Sequence, residues 1–285
     1  MNRVLTIVCC ATLVVCGCTL LSVVNGCASS GSFTNRQIIR VMTYNIHHGI
    51  GPDDRLDIKR VADIIRRSEA DVVALQDVDR GVARTEGIDL MTKLADLTGM
   101  TYTFVKSRNL DGGEHGNGLL THFPILEEKS ELYRLQTAKN ECSLMRLVLD
   151  VHGTEIFLMN TELAGNAADS VQVSNVSEVI DAAKEIVNVP VIFCGSLPSS
   201  SDSSSLKPIG DTFSDCWTIS GFGNGATFPA TSPDRRLDYI FVSKSRVPTD
   251  SKSPEVSLRP VKAEVLADSA SDHRPLVVTL NIVSQ

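Results

Sequence analysis

Five polar residues stand where the apolar runs of this chain begin or break off: Asn45, Asp77, Asp238, Asp272 and His273. The last two belong to Ser271-Asp272-His273-Arg274-Pro275, directly before the run Leu276-Val277-Val278-Thr279-Leu280. A carboxylate beside an imidazole can hold a metal ion or orient a base, provided that other segments bring it partners. Alone, an Asp-His pair is an ordinary loop sequence. Its weight comes from the other three, because ligand chemistry collects where strands end. The pattern predicts that the five converge.

The elements that must position them follow from periodicity. Ile38 to Tyr44 is predicted as a first core strand delivering Asn45, and Asp71 to Leu75 as a second, ending in Gln76-Asp77-Val78-Asp79. Between them Leu56, Ile58, Val61, Ile64 and Ile65 recur at helical spacing over Leu56 to Ser68. A second helix is predicted over Asp89 to Thr98, stopped by Gly99. Tyr102–Val105, Gly118–Thr121 with Phe123-Pro124-Ile125, Leu144–Val151 and Thr154–Asn160 read as short strands paired in hairpins. A third amphipathic helix runs from Ser170 to Val187, and Val189 to Cys194 is another buried strand. The serines of Ser199 to Ser205 read as a solvated linker. Arg236 to Val242 and the run after Pro275 close the domain. Helices bracketing two groups of strands imply α/β layers with two sheets packed face to face.

The hydrophobic fraction of 42% and charged fraction of 21% describe a globular chain. Residues 1–27 read as a processing segment: Asn2-Arg3, then an almost wholly apolar Val4 to Val24, then small residues closing at Asn25-Gly26-Cys27. This resembles a bacterial lipoprotein signal, with Cys27 as the lipid anchor and residues 28–37 as a flexible tether. Two alternatives stay open: Cys18 as the anchor, and an uncleaved transmembrane segment, since about 20 apolar residues can span a bilayer. Five of the eight cysteines fall in this leader, leaving Cys142, Cys194 and Cys216 without a zinc spacing. They read as buried small hydrophobes, with one disulfide among them left open. Arg3 is the only charged residue of the leader, so the following 258 residues carry 26 basic against 34 acidic side chains, a net of −8. No basic run is present, which argues against general nucleic-acid binding.

Five blocks occur in one order: Tyr44-Asn45-Ile46-His47-His48-Gly49; Leu75-Gln76-Asp77-Val78-Asp79-Arg80; Gly116-Asn117-Gly118-Leu119-Leu120 with Phe123-Pro124-Ile125; Arg236-Leu237-Asp238-Tyr239-Ile240; and Ser271-Asp272-His273-Arg274-Pro275. Together they resemble the endonuclease/exonuclease/phosphatase family across residues 38–283. The resemblance implies a four-layer α/β/β/α sandwich of two packed mixed sheets, and hydrolysis of phosphoesters dependent on Mg²⁺ or Mn²⁺. It implies Asp77 as metal carboxylate, with Asn45 and Asp272 beside it at the metal. Asn45, Asp272, Asp238 and His273 would be the catalytic residues: His273 the base or phosphate contact, Asp238 its orienting partner. The implied substrate is a small or lipid phosphoester, and the chain is read as a monomer tethered to a membrane of the cell envelope.

Three departures weaken that picture. The family's Leu-Gln-Glu is Leu75-Gln76-Asp77, one methylene shorter but still a carboxylate. Its Thr-His-Leu is Thr161-Glu162-Leu163, putting an anion where a catalytic histidine belongs. Its Gly-Asp-x-Asn is Gly195-Ser196-Leu197-Pro198, which removes both positioning side chains. Losing single catalytic groups commonly costs 10²–10⁴ in rate. Two functions are therefore expected to compete: a hydrolase with a weakened or re-routed site, and a non-catalytic lipoprotein binding a ligand or partner on the same fold. A third reading joins them, with Glu162 recruited as a replacement metal ligand.

Overall fold

The computed structural model describes residues 37–136, 141–165, 167–244 and 256–284. The leader, Cys27 and all of the tether but Gln37 lie outside them. The unit from Asn35 to Gln285 is self-contained. In chain order its elements are β1 (Gln37–Asn45), α1 (Ile58–Ser68), β2 (Val72–Arg80), α2 (Leu90–Thr98), β3 (Thr101–Leu110), β4 (Gly113–Thr121), β5 (Ile125–Leu132), β6 (Ser143–Val151), β7 (Thr154–Glu162), α3 (Asp169–Lys184), β8 (Val191–Ser196), α4 (Ile209–Thr212), β9 (Phe213–Asp215), α5 (Cys216–Ser220), β10 (Asp238–Ser243), β11 (Val256–Val265) and β12 (Leu276–Ser284).

The strands form two six-stranded mixed sheets, ordered β11-β12-β1-β2-β4-β3 and β5-β6-β7-β8-β10-β9. Each has one parallel pair at its centre, β1 with β2 and β7 with β8. Three hydrophobic clusters make the layers. One lies between the sheets and holds Val41, Ala74, Leu147, Leu158, Ile192 and Val278. A second packs Met42, Val73 and Leu75 against Val61, Ile64 and Ile65 of α1 and Leu94 of α2. A third packs Phe193, Tyr239 and Phe241 against Val176, Val179 and Ile180 of α3. Each such side chain, fully buried, contributes about 1.5–3 kcal/mol. This is the expected four-layer α/β/β/α sandwich, and its central strands are buried on both faces, which explains their unbroken apolar runs.

The helices end where the sequence punctuates them. Asp57 caps α1 by accepting from Arg60 N at 3.0 Å, so the helix starts two residues later than its apolar pattern suggests. Asp89 caps α2, and Gly99, at φ 73°, turns the chain out of it. Among the described residues no helix is long and apolar enough to cross a membrane. Cys142, Cys194 and Cys216 are buried, and Cys194 and Cys216 carry free thiols, as expected of small hydrophobes.

The serine stretch is solvated along Ser200, Ser201, Asp202 and Ser204, as expected, but its two ends are held to the domain. Ser199 Oγ donates to Gln172 of α3 at 2.7 Å, and the Ser199 carbonyl accepts from Tyr239 Oη at 2.8 Å. Ser205 is buried. Ser199 is thereby fixed to α3 through its hydroxyl and to β10 through its carbonyl.

Candidate active site

The functional side chains come from strand ends that the two sheets bring to one edge of the sandwich. In the second sheet Glu162, Ser196 and Asp238 stand abreast, because Glu162 pairs with Ser196 across β7–β8 and Ser196 with Asp238 across β8–β10. In the first sheet Asn45 ends β1, in register with Gln76 of β2. Gln76 is fully buried between the sheets, where its Nε2 donates to Thr43 Oγ1 and Asn160 Oδ1.

Asn45 joins the sheets. Its Nδ2 donates to Glu162 Oε1 at 3.3 Å and Ser196 Oγ at 3.4 Å, while its Oδ1 accepts from His47 N at 3.1 Å. Two of the residues that replace family side chains, Glu162 and Ser196, therefore hold the Asn45 amide. Ser271 Oγ donates to the Asn45 carbonyl at 2.8 Å and ties the Asp272-His273 loop to β1. His273 Nδ1 meets Asp238 Oδ2 at 2.8 Å, with Asp238 fully buried, and the His273 ring packs 4.8 Å from that of Phe228. Burial would lower the His273 pKa, but the charge and hydrogen bond of Asp238 outweigh it, and with Asp272 and Glu162 raise it to about 9.

Asp77 lies at a bulge. Leu75 pairs with Gly118 and Val78 with Gly116, so two residues of β2 oppose Asn117 alone. Asp77 takes φ 54°, in the left-handed region, and turns towards three side-chain nitrogens. His48 Nδ1 lies 3.1 Å from its Oδ1, His115 Nδ1 3.5 Å and an Arg84 amino nitrogen 3.6 Å. Behind them Asp79, fully buried, is gripped by Arg84 at 2.7 and 2.8 Å and by His115 Nδ1 at 3.0 Å. Burial pushes the Asp77 carboxyl up, but the His48 hydrogen bond and the charges of His115, His48 and Arg84 hold it well below the usual carboxylate range. Glu162 goes the other way. Burial, then the negative charge of Asp77, pushes it up to about 7 against the pull of His115, His273 and Arg108.

Asp77, Arg84, Arg108, His115 and Glu162 line a cavity of about 300 Å³. Donor atoms of His47, His48 and Asp77, and again of Asp77, Asp79 and His115, lie within 4.8 Å of one another. Of the residues expected from sequence, the structure thus brings together Asn45, Asp238 and His273, with Asp77 across Glu162 from them. Asp272 joins the edge more loosely, its Oδ1 3.9 Å from His47 Nδ1.

Residues 42–273 match the sequence profile of the endonuclease/exonuclease/phosphatase family. The chain belongs to that family. Solved structures of the family share its fold: an endonuclease/exonuclease/phosphatase from Beutenbergia cavernae, 22% identical, covers 87% of this chain and 72% of its own at TM-score 0.67. A mannosyl-6-phosphatase from Bacteroides thetaiotaomicron, 18% identical, covers 85% and 99% at 0.67. The human Nocturnin catalytic domain, 17% identical, covers 87% and 96% at 0.65. No curated protein matches the chain significantly in sequence. The fold is that of phosphoester hydrolases, and the family is generally dependent on divalent metals.

Against the family pattern, sequence reasoning missed His48, His115, Arg84 and Asp79. All but His115 and Arg84 sit inside motifs already singled out. The absent signal was the bulge at Asp77, which decides which side chains that carboxylate meets.

Proposed function

We propose that this family member is a divalent-metal-dependent phosphoester hydrolase of reduced turnover, acting on a small phosphoester. The observation that carries the proposal is the His273–Asp238 pair at 2.8 Å. It is a protonated imidazole oriented by a buried carboxylate, on the same edge as the Asp77 cluster. Bound there, a divalent cation polarises a phosphoryl group and offsets its developing charge. Asp77 is the carboxylate that would hold it, because its surroundings keep it ionised.

The remaining steps rest on this chain's own residues. His273, charged below about pH 9, offers a proton or a hydrogen bond to a phosphoryl oxygen. Arg84 and Arg108 line the cavity and supply positive charge for the ester's own anionic oxygens. Glu162 is neutral below about pH 7 and can then donate to a phosphate oxygen rather than repel it. A cavity of about 300 Å³ suits a headgroup of sugar-phosphate size, and one structural neighbour is a mannosyl-6-phosphatase. The net charge of −7 weighs against a general nuclease.

The test is turnover of p-nitrophenyl phosphate and its bis-ester with divalent metals, beside His273→Ala. Metal-dependent turnover falling at least about 100-fold in the variant is expected. A folded protein that turns over neither ester sinks the proposal. The second reading, a non-catalytic binding module, is favoured by one observation: Glu162 and Ser196 are spent on the Asn45 amide. It predicts a bound phosphoester that is never cleaved. Glu162→His with Ser196→Asp and Pro198→Asn should raise turnover if the hydrolase reading holds.

A further inference from the structure

The most exposed large apolar side chain of the described residues lies outside the site. Phe222 is 96% exposed, and Ile219, three residues earlier, is 55% exposed. Both belong to the stretch from Cys216 to Pro233, eighteen residues without one charge in a chain that is 21% charged. It contains α5 and the turn Gly221-Phe222-Gly223-Asn224-Gly225. Charge ordinarily collects on exposed surface; here Thr218, Gly223, Asn224, Thr231 and Ser232 are exposed instead.

The turn holds that ring out. Its frame is the Trp217 indole, which packs on the core between the sheets. Trp217 Nε1 donates to the Gly223 carbonyl at 3.3 Å, and a Cβ on Gly221 or Gly225 would run into the indole. Gly223 and Gly225 take φ 81° and 67°, which other residues adopt only at a cost. Asn224 Oδ1 accepts from Ala226 N at 3.1 Å and closes the turn. A loop ordered in this way loses little entropy when Phe222 enters an apolar phase. Its far end belongs to the catalytic edge: the Thr227 carbonyl accepts from Arg274 N at 2.7 Å, and Phe228 packs against His273.

A bilayer is the partner these features fit. Its interface takes up a protruding aromatic ring without a matching pocket, and contact along this stretch desolvates no charge. Cations stand beside it, where headgroup phosphates would lie. The Arg235 guanidinium lies 4.5 Å over the Phe228 ring, paired only loosely with Asp234 at 3.6 Å, both largely exposed. Arg274 donates Nε to the Ala230 carbonyl and has no acid in ion-pair reach among the described residues. The chain ahead of the domain is long enough for this orientation. β1 carries it roughly 26 Å, at about 3.3 Å per residue, from Gln37 to the edge. Nine extended residues, 28–36, reach about 30 Å, so a lipidated Cys27 and Phe222 can enter one bilayer.

We propose that Phe222, with Ile219, docks on a phospholipid bilayer and sets the catalytic edge against that surface. The inference goes beyond the hydrolase reading and does not rest on it.

Trp217 is the only tryptophan of the chain and reports on the turn it supports. Residues 28–285, which contain the whole self-contained unit, are mixed with phosphatidylcholine vesicles whose acyl chains carry bromine. Trp217 emission should be quenched as lipid is added. Quenching should persist at high salt, because the contact is apolar and a net charge of −7 draws the chain to no anionic surface. Phe222→Ser should raise the lipid needed for half-quenching by about 10-fold, and Phe222→Leu by no more than about threefold. No quenching at millimolar lipid, or equal quenching of Phe222→Ser, overturns the inference. A photoreactive phenylalanine analogue at position 222 that captures a protein and no lipid in cells assigns the turn to a protein partner and overturns it too. A chain that hydrolyses soluble esters without docking loses this inference and keeps the hydrolase reading; one that docks without turnover does the reverse.

Discussion

At the scale of single residues, the site is a set of carboxylates pushed apart by their neighbours. Asp77 and Glu162 face one cavity, and burial disfavours charge on both; the His48 hydrogen bond and the neighbouring positive groups favour the charge on Asp77, and the Asp77 charge then pushes the proton onto Glu162. That asymmetry has a sign that can be measured in the metal-free protein. A carboxyl raised from 4.5 to about 7 binds more protons folded than unfolded in that window, so stability falls as pH rises through it. Glu162→Gln removes the effect. The variant should gain on the wild type by on the order of 1–3 kcal/mol between pH 5 and pH 8, read as a divergence in melting temperature. His273 has the same sign in a higher window: its raised pKa gives stability that is fully present below about 6.5 and lost as pH climbs through about 9. Glu162 is the smallest of the charges that raise His273, so the variant keeps most of that loss, and the comparison is made below pH 8, before His273 gives up its proton. Coincident melting curves at pH 5 and pH 8 would show that Glu162 is not strained by its charge. Asp238→Asn removes the anion that holds the His273 proton. The ring should then titrate well below 9, seen as a shifted histidine resonance, with turnover down about 100-fold or more.

At the scale of elements, the strand that delivers Asp77 depends on irregularities. Leu75 and Val78 both pack on the helix side although three positions apart, which only the extra residue of the bulge permits. A matching irregularity at Lys106/Arg108 lets β3 follow β4 past Gly116. A Cβ on Gly116 would sit 2.0 Å from the Val105 carbonyl oxygen and 2.9 Å from Ser107 N, both backbone atoms that cannot swing away. Gly116→Ala should cost about 3 kcal/mol in denaturant unfolding and displace the adjoining His115, weakening metal binding in the same variant. Unchanged stability would mean the two strands separate freely there. The same elements show what the sequence made legible. Central strands such as β1, β2, β8 and β12 announced themselves because burial on both faces leaves unbroken apolar runs. The missed ones lie at sheet edges. β5 carries Glu127, Glu128, Lys129 and Glu131, β11 holds Pro260 at a bulge, and β9 has three residues. Edges resist further pairing through charge, proline and brevity, so they lack the pattern by which strands are recognised. His48 and His115 stayed hidden for a related reason: residue types are visible in sequence, but the register set by a bulge is not.

At the scale of the whole molecule, the family order of motifs made the sandwich readable, because each motif lies where a strand meets the catalytic edge. The same topology separates that edge from the point where the chain enters the domain. Gln37 opens β1 and Asn45 closes it, so eight residue steps of about 3.3 Å put the entry roughly 26 Å from the site. We propose that residues 28–36 tether the domain to a membrane through lipidated Cys27, on the strength of the apolar leader and its small-residue close. Cys27→Ala should therefore move the protein from the membrane fraction to the soluble one in cell fractionation. It should leave turnover of a soluble phosphomonoester within about twofold of wild type. Lipid labelling should disappear in the same variant. If the variant stays in the membrane and only Cys18→Ala loses the label, the anchor is Cys18; if neither substitution releases the chain, the leader is an uncleaved transmembrane segment of about 20 residues.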